Sequence, residues 1–292
     1  MNEAPVILDL DASVGALPDA QAIALGEWQE AIRFGCSLRR LRAFAHAIEA
    51  RLPARHGSVF LGSGDFHHLS WPLIARHAGR EPFDVVVFDN HPDNMRFPFG
   101  VHCGSWVWRV ARLPSVANVH VVGITSADVS ALHAWENHLL PLARGRLQYW
   151  TLGVDTRWAR RIGLGRAVHA FDSVEELLER FIAGQRRSTR KVYLSIDKDV
   201  LDPAVARTNW DQGRLLDTDL FAGIEALRGR IIGSDVTGEV SAYRYATWWK
   251  RRLSALDAQP DVDAAHLSSW QAQQHALNLR LLKRIREAGT AA

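Results

Sequence analysis

Short, continuous runs of apolar residues recur along the chain, and stretches with a helical spacing of apolar residues separate them. A strand that is covered on both faces has such a continuous run, whereas a half-exposed strand alternates between apolar and polar residues. Eight runs therefore predict buried strands. They are Val6–Leu10, Ser58–Leu61, Asp84–Phe88, Ala117–Ile124, Leu147–Leu152, Ala167–Phe171, Val192–Ile196 and Arg230–Val236.

Apolar residues at helical spacing fill much of the chain between these runs. The predicted helices are Ala20–Leu52 with a break near Gly35, Leu69–Ala78, Gly104–Arg112, Ser130–Leu140, Ser173–Ala183, Asp219–Leu227 and Asp263–Arg286. Asp172-Ser173 and Asp217-Thr218 are candidate N-caps, because their side chains accept hydrogen bonds from the first free N–H groups of a helix.

The alternation of strands and helices predicts a three-layer α/β/α fold, in which helices cover both faces of a mainly parallel sheet of about eight strands. No linker, repeat or low-complexity segment divides the 292 residues. We therefore predict one α/β domain over residues 1–292. The last helix, at about 263–286, has an apolar face of Leu277, Leu281 and Ile285, which is expected to pack on the domain or on a second subunit.

Composition argues against several classes of function. Lysine and arginine total 35 against 32 acidic residues, and a net charge of +3 is too small to predict a nucleic-acid partner. No apolar run is long enough to span a bilayer, and the first residues lack the pattern of a signal peptide. Two cysteines, Cys36 and Cys103, do not make a disulfide framework. We expect a cytoplasmic protein with reduced thiols and neither a membrane nor a nucleic-acid partner.

Polar side chains that can bind metal follow four of the predicted strands. The segments are Gly62–His68, Asp89–Asp93, Asp197–Pro203 and Asp235–Glu239. The carboxyl ends of parallel strands lie at one edge of a sheet, so these distant segments can converge on one site. Each segment alone is compatible with the ordinary turn chemistry of Asp and Asn. Their joint occurrence at corresponding strand ends predicts a metal site.

Two of these segments resemble motifs of the arginase/agmatinase (ureohydrolase) family. Asp89-Asn-His91-Pro-Asp93 matches that family's Asp-Ala-His-x-Asp segment. Ser195-Ile-Asp197-Lys-Asp199-Val-Leu-Asp202-Pro203 matches its Ser-x-Asp-x-Asp-x-x-Asp-Pro segment in full. The resemblance extends over about residues 58–240. It implies an arginase-like fold and a hydrolase that acts on C–N bonds other than peptide bonds.

The resemblance implies that six side chains bind two metal ions: His67, Asp89, His91, Asp93, Asp197 and Asp199. The first histidine comes from Gly64-Asp-Phe-His67-His68, where the family has Gly-Gly-Asp-His, so the register differs. We favour His67 as the ligand, with His68 as the alternative. Histidines and carboxylates are harder donors than thiolates and suit Mn²⁺. Two manganese ions per chain are therefore expected.

The same resemblance implies the chemistry. A hydroxide that bridges both ions is the expected nucleophile, because divalent cations lower the pKa of a bound water. His102 resembles the family's proton shuttle, although Cys103 separates it from the following Gly104, and a general acid would assist an amine leaving group. Glu239 resembles the carboxylate that faces a guanidinium, again with one extra residue in its segment. The alternatives are a helix-start histidine and a surface glutamate.

Segments around these motifs differ from the family pattern, notably residues 94–101 and 207–213. Lys198 lies between two predicted ligands and is expected to point to the exterior. The candidates for contact with substrate are Trp106, Trp108 and Trp210 as pocket lining, with core positions as the alternative for the first two, and Asp211 and Arg96 as selectors of charge. These differences leave the substrate open.

The leading prediction is a dinuclear manganese hydrolase that cleaves a C–N bond in a guanidino or amidino small molecule. A single-metal amidohydrolase of the deacetylase type is the nearest alternative. That class keeps an Asp-x-His pair and one later Asp, so the presence here of Asp93, Asp199 and a first-motif histidine favours two metals. A protein that binds metal without catalysis is a further alternative. A homo-oligomer is compatible with the family but is indicated by no feature of the sequence.

Overall fold

The computed structural model describes residues 3–79, 81–256, 262 and 264–290. Within them, nine strands form one parallel sheet, and two short strands form a separate antiparallel pair. In chain order the strands are β1 (Val6–Asp9), β2 (Gln21–Ala24), β3 (Gly35–Cys36), β4 (Val59–Phe60), β5 (Phe83–Phe88), β6 (Val101–His102), β7 (Val116–Ile124), β8 (Leu147–Leu152), β9 (Val168–Phe171), β10 (Val192–Asp197) and β11 (Ile231–Thr237). The order across the large sheet is β2-β1-β4-β11-β10-β5-β7-β8-β9.

Helices connect the strands and cover the sheet. In chain order the α-helices of the described residues are α1 (Gln29–Ile32), α2 (Leu38–Glu49), α3 (Ser70–Ala75), α4 (Val107–Val110), α5 (Leu139–Ala143), α6 (Arg157–Arg161), α7 (Val174–Arg187), α8 (Asp217–Glu225), α9 (Trp248–Leu256) and α10 (Leu267–Gly289). Short 3₁₀ turns lie beside several of them, including Gly64–Leu69, Cys103–Ser105 and Lys198–Val200.

Alternate residues of the central strands face two separate hydrophobic cores. In β5, Val85 and Val87 belong to one core, while Val86 and Phe88 belong to the other. Both sets are fully buried, which is why residues 85–88 are all apolar. The three-layer α/β/α fold with a mainly parallel sheet is thus confirmed, with nine strands in place of about eight.

The ninth strand comes from a segment that was predicted to be helical. Within Ala20–Leu52, residues Gln21–Ala24 pair in parallel with β1 and form the edge of the sheet. Ile23 is the buried residue of this strand, and its two neighbours are exposed. Pairing with an open strand edge outweighs the helical preference of the two alanines, because tertiary contacts routinely override intrinsic propensity. The predicted break near Gly35 is observed, since Gly35 and Cys36 form β3, and α2 follows.

One other helix prediction needs correction. Ser130–Leu140 is mostly turn and 3₁₀ structure, and α5 begins only at Leu139. Long-range contacts take the place of the helix here. Asn137 forms a β-bridge with Met95, and the His138 N–H donates to the carbonyl of Asn94. Helix α9 was not predicted at all.

One of the two N-cap predictions is confirmed. Ser173 caps α7 by accepting from the N–H of Glu176. Asp217-Thr218 instead lies inside the first turn of α8, whose N-cap is Leu216. The last predicted helix is observed as α10 from Leu267, and Asp263 lies outside the described residues. Its face of Leu277, Leu281 and Ile285 packs into the second core.

The order of the strands in the sheet brings the predicted site residues together. Strands β4, β11, β10, β5 and β7 are consecutive neighbours, and all run in the same direction. Their carboxyl ends therefore carry the four polar segments to one edge. In the described part of the chain, every helix is too short or too polar to cross a membrane.

Helix α9 is held against α1 by one acidic side chain. Glu30 accepts hydrogen bonds from the Tyr243 hydroxyl at 2.6 Å, from the N–H of Ala246 and from both the N–H and the hydroxyl of Thr247. Lys250 reinforces this contact by donating to the carbonyls of Glu30 and Arg33. The segment that carries α9 is thus anchored at its start.

This anchor predicts a pH-dependent stability. Burial would raise the pKa of Glu30 above its ordinary 4.5, but the bonds from Thr247 and Tyr243 lower that pKa to about 2. The carboxylate therefore contributes fully above about pH 4.5, and its contribution is lost as the pH falls towards 2. We expect Glu30→Gln to lower the free energy of unfolding at pH 7 by about 1 kcal/mol. Urea denaturation from pH 7 to pH 2.5 should show this difference shrinking below pH 4.5.

The exposed Glu27 of the same turn supplies a matched control. Glu27→Gln should leave the urea midpoint unchanged at every pH. A Glu30→Gln difference that is constant between pH 7 and pH 2.5 would contradict the assigned role of the carboxylate.

Candidate metal centre

Two groups of metal-binding side chains lie at the carboxyl edge of the sheet and share one residue. His67, Asp89 and Asp93 form the first group, and Asp89, His91 and Asp199 form the second. Within each group, one ligand atom from every residue lies within 4.8 Å of the others. Asp89 therefore stands between two places where a cation fits.

The first group is built around His67. Its Nδ1 lies 2.9 Å from Asp93 Oδ2, 3.2 Å from Asp89 Oδ2 and 3.4 Å from Asp197 Oδ2. His68 is also buried, but neither of its ring nitrogens has a hydrogen-bond partner among the described residues. The geometry thus places His67, and not His68, among the carboxylates.

The second group is built around His91. Its Nδ1 lies 2.9 Å from Asp199 Oδ2 and 3.7 Å from Asp89 Oδ1. Its Nε2 lies 2.7 Å from Asp211 Oδ1, and Asp211 also accepts a hydrogen bond from the Asn90 side chain. A carboxylate on the far nitrogen fixes the orientation of a ligating imidazole. Asp211 therefore positions His91. It also lines the cavity, so its role as a selector of charged substrate stays a prediction.

Local backbone structure explains how Asp93 reaches the group. Its φ of +46° is left-handed, a conformation that bends the chain sharply back after Pro92. The N–H of Val107, at the start of α4, donates to the Asp93 carbonyl, and the Trp106 indole N–H donates to Asp93 Oδ2 at 2.6 Å. Trp106 is completely buried. Of its two predicted positions, the core position is therefore correct, and its indole also holds a predicted ligand.

A serine and a second acid hold His67 from behind. Its Nε2 lies 3.0 Å from Ser195 Oγ, which donates in turn to Asp235 Oδ1 at 2.7 Å. Ser70 donates to the same Asp235 oxygen. This chain of bonds fixes the ring and leaves Nδ1 directed at the carboxylates.

The close packing of buried acidic side chains shifts the pKa values in the cluster. Burial and the charge of Asp89 raise the pKa of both Asp93 and Asp199 to about 7. Burial opposes ionisation of Asp89 itself, but the close contacts of its carboxylate with His67 and His91 hold its pKa below the ordinary value. The four carboxylates of the cluster cannot all ionise together unless positive charge is added. Divalent cations can supply that charge.

Two buried side-chain atoms without a hydrogen-bond partner also fit a metal site. His67 Nδ1 and Asp89 Oδ2 are buried, lie 3.2 Å apart and form no hydrogen bond within the described residues. Buried polar atoms normally have partners, so each such atom needs an explanation. A cation between them satisfies both, and the donor set of imidazole and carboxylate groups matches a hard divalent ion.

A cavity of about 600 Å³ opens over the cluster. Trp210, Phe34 and His102 line it together with the acids, and the Phe34 ring is stacked between the other two at 6.3 and 6.1 Å. Leu253 of α9 also reaches this cavity. The prediction that Trp210 lines the pocket is thus confirmed, whereas Trp108 lines a different cavity with Arg112 and Arg144.

His102 combines a structural bond with access to the cavity. Its Nδ1 accepts a hydrogen bond from the N–H of Gly104 at 3.0 Å and caps the following 3₁₀ turn. The proton of the neutral ring is therefore on Nε2. Burial lowers the pKa of His102 to about 4. Its predicted action as a cationic proton shuttle would require loss of the bond to Gly104.

Lys198 and Glu239 differ from their predicted places. Lys198 does not point to the exterior but is completely buried, and its Nζ lies 2.5 Å from Glu239 Oε1. Glu239 is 1% exposed and is absent from the residues that line the cavity in the described chain. At Gly238 the chain passes directly against Asp197 and the backbone of Lys198 before it reaches Glu239. Glu239 therefore contacts Lys198 and does not line the cavity as the structure describes it.

Several residues that build the site had no prediction from the sequence. Phe34 stacks between Trp210 and His102, and Gln274 and Asn278 contact Lys198 from α10. A signal for the last two was present, since an Asn and a Gln on the apolar face of a helix usually have a buried polar partner.

Comparisons with known proteins agree with this fold. The family model described as "Arginase family" matches residues 12–241. An uncharacterized protein of Thermotoga maritima is 30% identical over 71% of this chain and 67% of its own length. An agmatinase of Bacillus anthracis is 24% identical over 73% of this chain and 66% of its own length.

A solved structure shows the same fold. The crystal structure of a hypothetical agmatinase from Burkholderia thailandensis covers 99% of this chain and 88% of its own, with a TM-score of 0.53 and 19% identity. The family match spans most of the chain and includes all six predicted ligands, with the sheet edge on which they lie. The chain therefore belongs to the arginase family.

Proposed function

We propose that this protein is a metal-dependent hydrolase that cleaves a non-peptide C–N bond in a small amidino-type molecule, with guanidino compounds included. The observation that carries the proposal is the pair of donor groups that share Asp89. Family membership supports the reaction class, and agmatinases are among the relatives. Two ions, manganese as the metal and the bridging role of Asp89 and Asp197 are parts of this proposal.

The residues divide into distinct tasks. His67 and Asp93 would hold one ion, His91 and Asp199 the other, and Asp89 and Asp197 would contact both. Bound there, divalent cations supply Lewis-acid chemistry and activate water near neutral pH. Asp211 and Ser195 orient the two histidines. His102, neutral with its proton on Nε2, is placed to donate a hydrogen bond into the cavity.

The two donor groups also weigh against the single-metal alternative. A single-metal site needs one group of ligands, whereas a second histidine here has its own carboxylate, Asp199, at 2.9 Å. An exclusively structural second site would not need the cavity above it. The size of that cavity supports a small-molecule substrate, and a homo-oligomer stays a prediction.

The test of function is a substrate screen on protein loaded with manganese. Guanidino, amidino and acylated amine compounds should be compared for release of urea, ammonia or acid. Metal-dependent release from at least one amidino-type compound is the expected result. A loaded protein that releases none of these products from any class would contradict a catalytic role.

Metal stoichiometry tests the shared ligand. We expect about two manganese equivalents per chain in the wild type, none in Asp89→Asn and close to one in Asp93→Asn. The reason is that Asp89 belongs to both donor groups and Asp93 to one. Inductively coupled plasma mass spectrometry after dialysis gives the count, and circular dichroism checks the fold.

A matched control lies at the opposite end of the same strand. Asp84 is also a buried aspartate of β5, but it pairs with Arg190. Asp84→Asn should keep both ions. Equal metal content in the Asp89 and Asp93 variants, or about one zinc equivalent in the wild type, would contradict the shared dinuclear site.

Asp211 gives a separate prediction. Asp211→Asn removes the carboxylate that orients His91, so one of the two binding steps in a calorimetric manganese titration should weaken about 10- to 100-fold. The other step, at His67, should keep its affinity. Equal weakening of both steps, or of neither, would contradict the assignment of Asp211 to His91.

A further inference from the structure

We propose that a second cavity, separate from the metal centre, binds a small anion that carries a pyrophosphate group. The cavity has a volume of about 550 Å³, and three arginines, Arg112, Arg144 and Arg146, line it together with Trp108 and His138. We call it the basic cavity. The inference goes beyond the proposed function and does not depend on it, because it concerns residues that have no part in the metal centre.

Positive charge in the basic cavity has no acidic counterpart in the part of the chain that the structure describes. The lining comes from two segments, residues 97–127 and 137–154, and neither segment contains an aspartate or a glutamate. Among the described residues, Arg112, Arg144 and Arg146 also form no ion pair. A concave site lined by charge of one sign attracts ions of the opposite sign. The basic cavity therefore favours an anion.

The pKa values around the basic cavity show the same excess of positive charge. Burial and the charges of Arg96, Arg109 and Arg112 lower the pKa of His138. Burial and the charges of Arg112 and Arg42 likewise lower the pKa of Arg109. Both shifts come from repulsion between cations in addition to burial. A bound anion would relieve this repulsion.

Arg146 is already held in place in the wall of the basic cavity. Its Nη2 atom donates to the carbonyls of Leu113 and Val116, at 3.0 and 2.5 Å. Its Nε atom is buried and has no hydrogen-bond partner within the described residues. Buried polar atoms normally have partners. An oxyanion in the cavity would supply the acceptor that Arg146 lacks, and a side chain that is already fixed loses little entropy when it binds a ligand.

An aromatic side chain also positions Arg112. The Arg112 guanidinium lies 5.1 Å from the centre of the Trp108 ring, a distance at which a cation is attracted to the ring face. The Trp108 ring in turn packs on His138, with ring centres 4.3 Å apart. This contact gives the exposed Arg112 a defined place at the cavity.

One pair of residues connects the basic cavity to the metal-binding segment. The His138 N–H donates to the Asn94 carbonyl at 3.0 Å, and the Asn94 side chain donates to the His138 carbonyl at 2.9 Å. Asn94 directly follows the predicted ligand Asp93. Within the described chain, however, the two cavities have no lining residue in common. An anion in the basic cavity thus lies next to the metal-binding segment but outside the reaction cavity.

The chemistry of the basic cavity favours phosphate over carboxylate anions. A phosphate group offers three strong acceptor oxygens, whereas a carboxylate offers two. The planar guanidinium group binds phosphate in bidentate geometry. Three guanidinium groups can therefore share the oxygens of two linked phosphates. A pyrophosphate group fits this arrangement, either as the free ion or as part of a nucleoside diphosphate.

Calorimetry with inorganic pyrophosphate tests the basic cavity. The full chain is first dialysed against a chelator, so that the probe cannot bind to cations at the metal centre. We expect pyrophosphate to bind the wild type, and Arg112→Gln combined with Arg144→Gln to weaken this binding at least about 10-fold, because two charge-assisted contacts are lost. Both arginines are exposed, so the double variant should keep its fold. Circular dichroism checks this.

A matched control removes the same charge from the opposite face of the sheet. Arg186 and Arg187 are exposed at the end of α7, which packs into the second core, whereas the helices beside the basic cavity pack into the first. Arg186→Gln combined with Arg187→Gln should change the affinity for pyrophosphate by no more than about 2-fold, since salt screens distant charges.

The outcomes separate the basic cavity from general attraction by charge. Selective weakening in the Arg112 and Arg144 variant supports the proposal. No detectable binding of millimolar pyrophosphate, or equal weakening in both double variants, overturns it. Adenosine diphosphate, titrated in parallel, identifies the source of the pyrophosphate group, because the tighter of the two ligands shows whether the free ion or a nucleotide is preferred. Citrate that binds more tightly than both would overturn the assignment to phosphate.

Discussion

The arrangement at the carboxyl edge of the sheet depends on one constraint: four buried carboxylates lie around two imidazoles, with Asp89 in contact with both. Burial, together with the charge of Asp89, raises the pKa of Asp93 and Asp199 to about 7. The chain tolerates this crowding because backbone and side-chain donors hold each acid in place. Such a site has a large unmet demand for positive charge, which divalent cations can supply.

Further side chains of this protein support the cluster of carboxylates and imidazoles. Trp106 donates to Asp93 and Asp211 bonds to His91. Lys198 neutralises Glu239 beneath the predicted ligands. Helix α9 lies beyond the residues that the family model matches, yet its Leu253 lines the cavity. The predicted ligands thus lie within the range that the family model matches, whereas the lining of the cavity extends beyond it.

The sequence predicted the parallel sheet and the convergence of its polar strand ends, because continuous apolar runs such as Val85–Phe88 depend only on burial from both sides. It did not predict β2, since Gln21–Ala24 becomes a strand only through pairing with β1. Lys198 was misplaced for a related reason. Its acceptors on α10 are 76 and 80 residues away, and no local pattern shows that a helix brings them beneath the site.

The central claim is that two cations bind on either side of Asp89. The most direct measurement is anomalous diffraction at the manganese edge from crystals grown with manganese. We expect two peaks per chain, roughly 3.5–4 Å apart, one beside His67 and one beside His91, with Asp89 between them. A single peak, or peaks away from these two histidines, would contradict it.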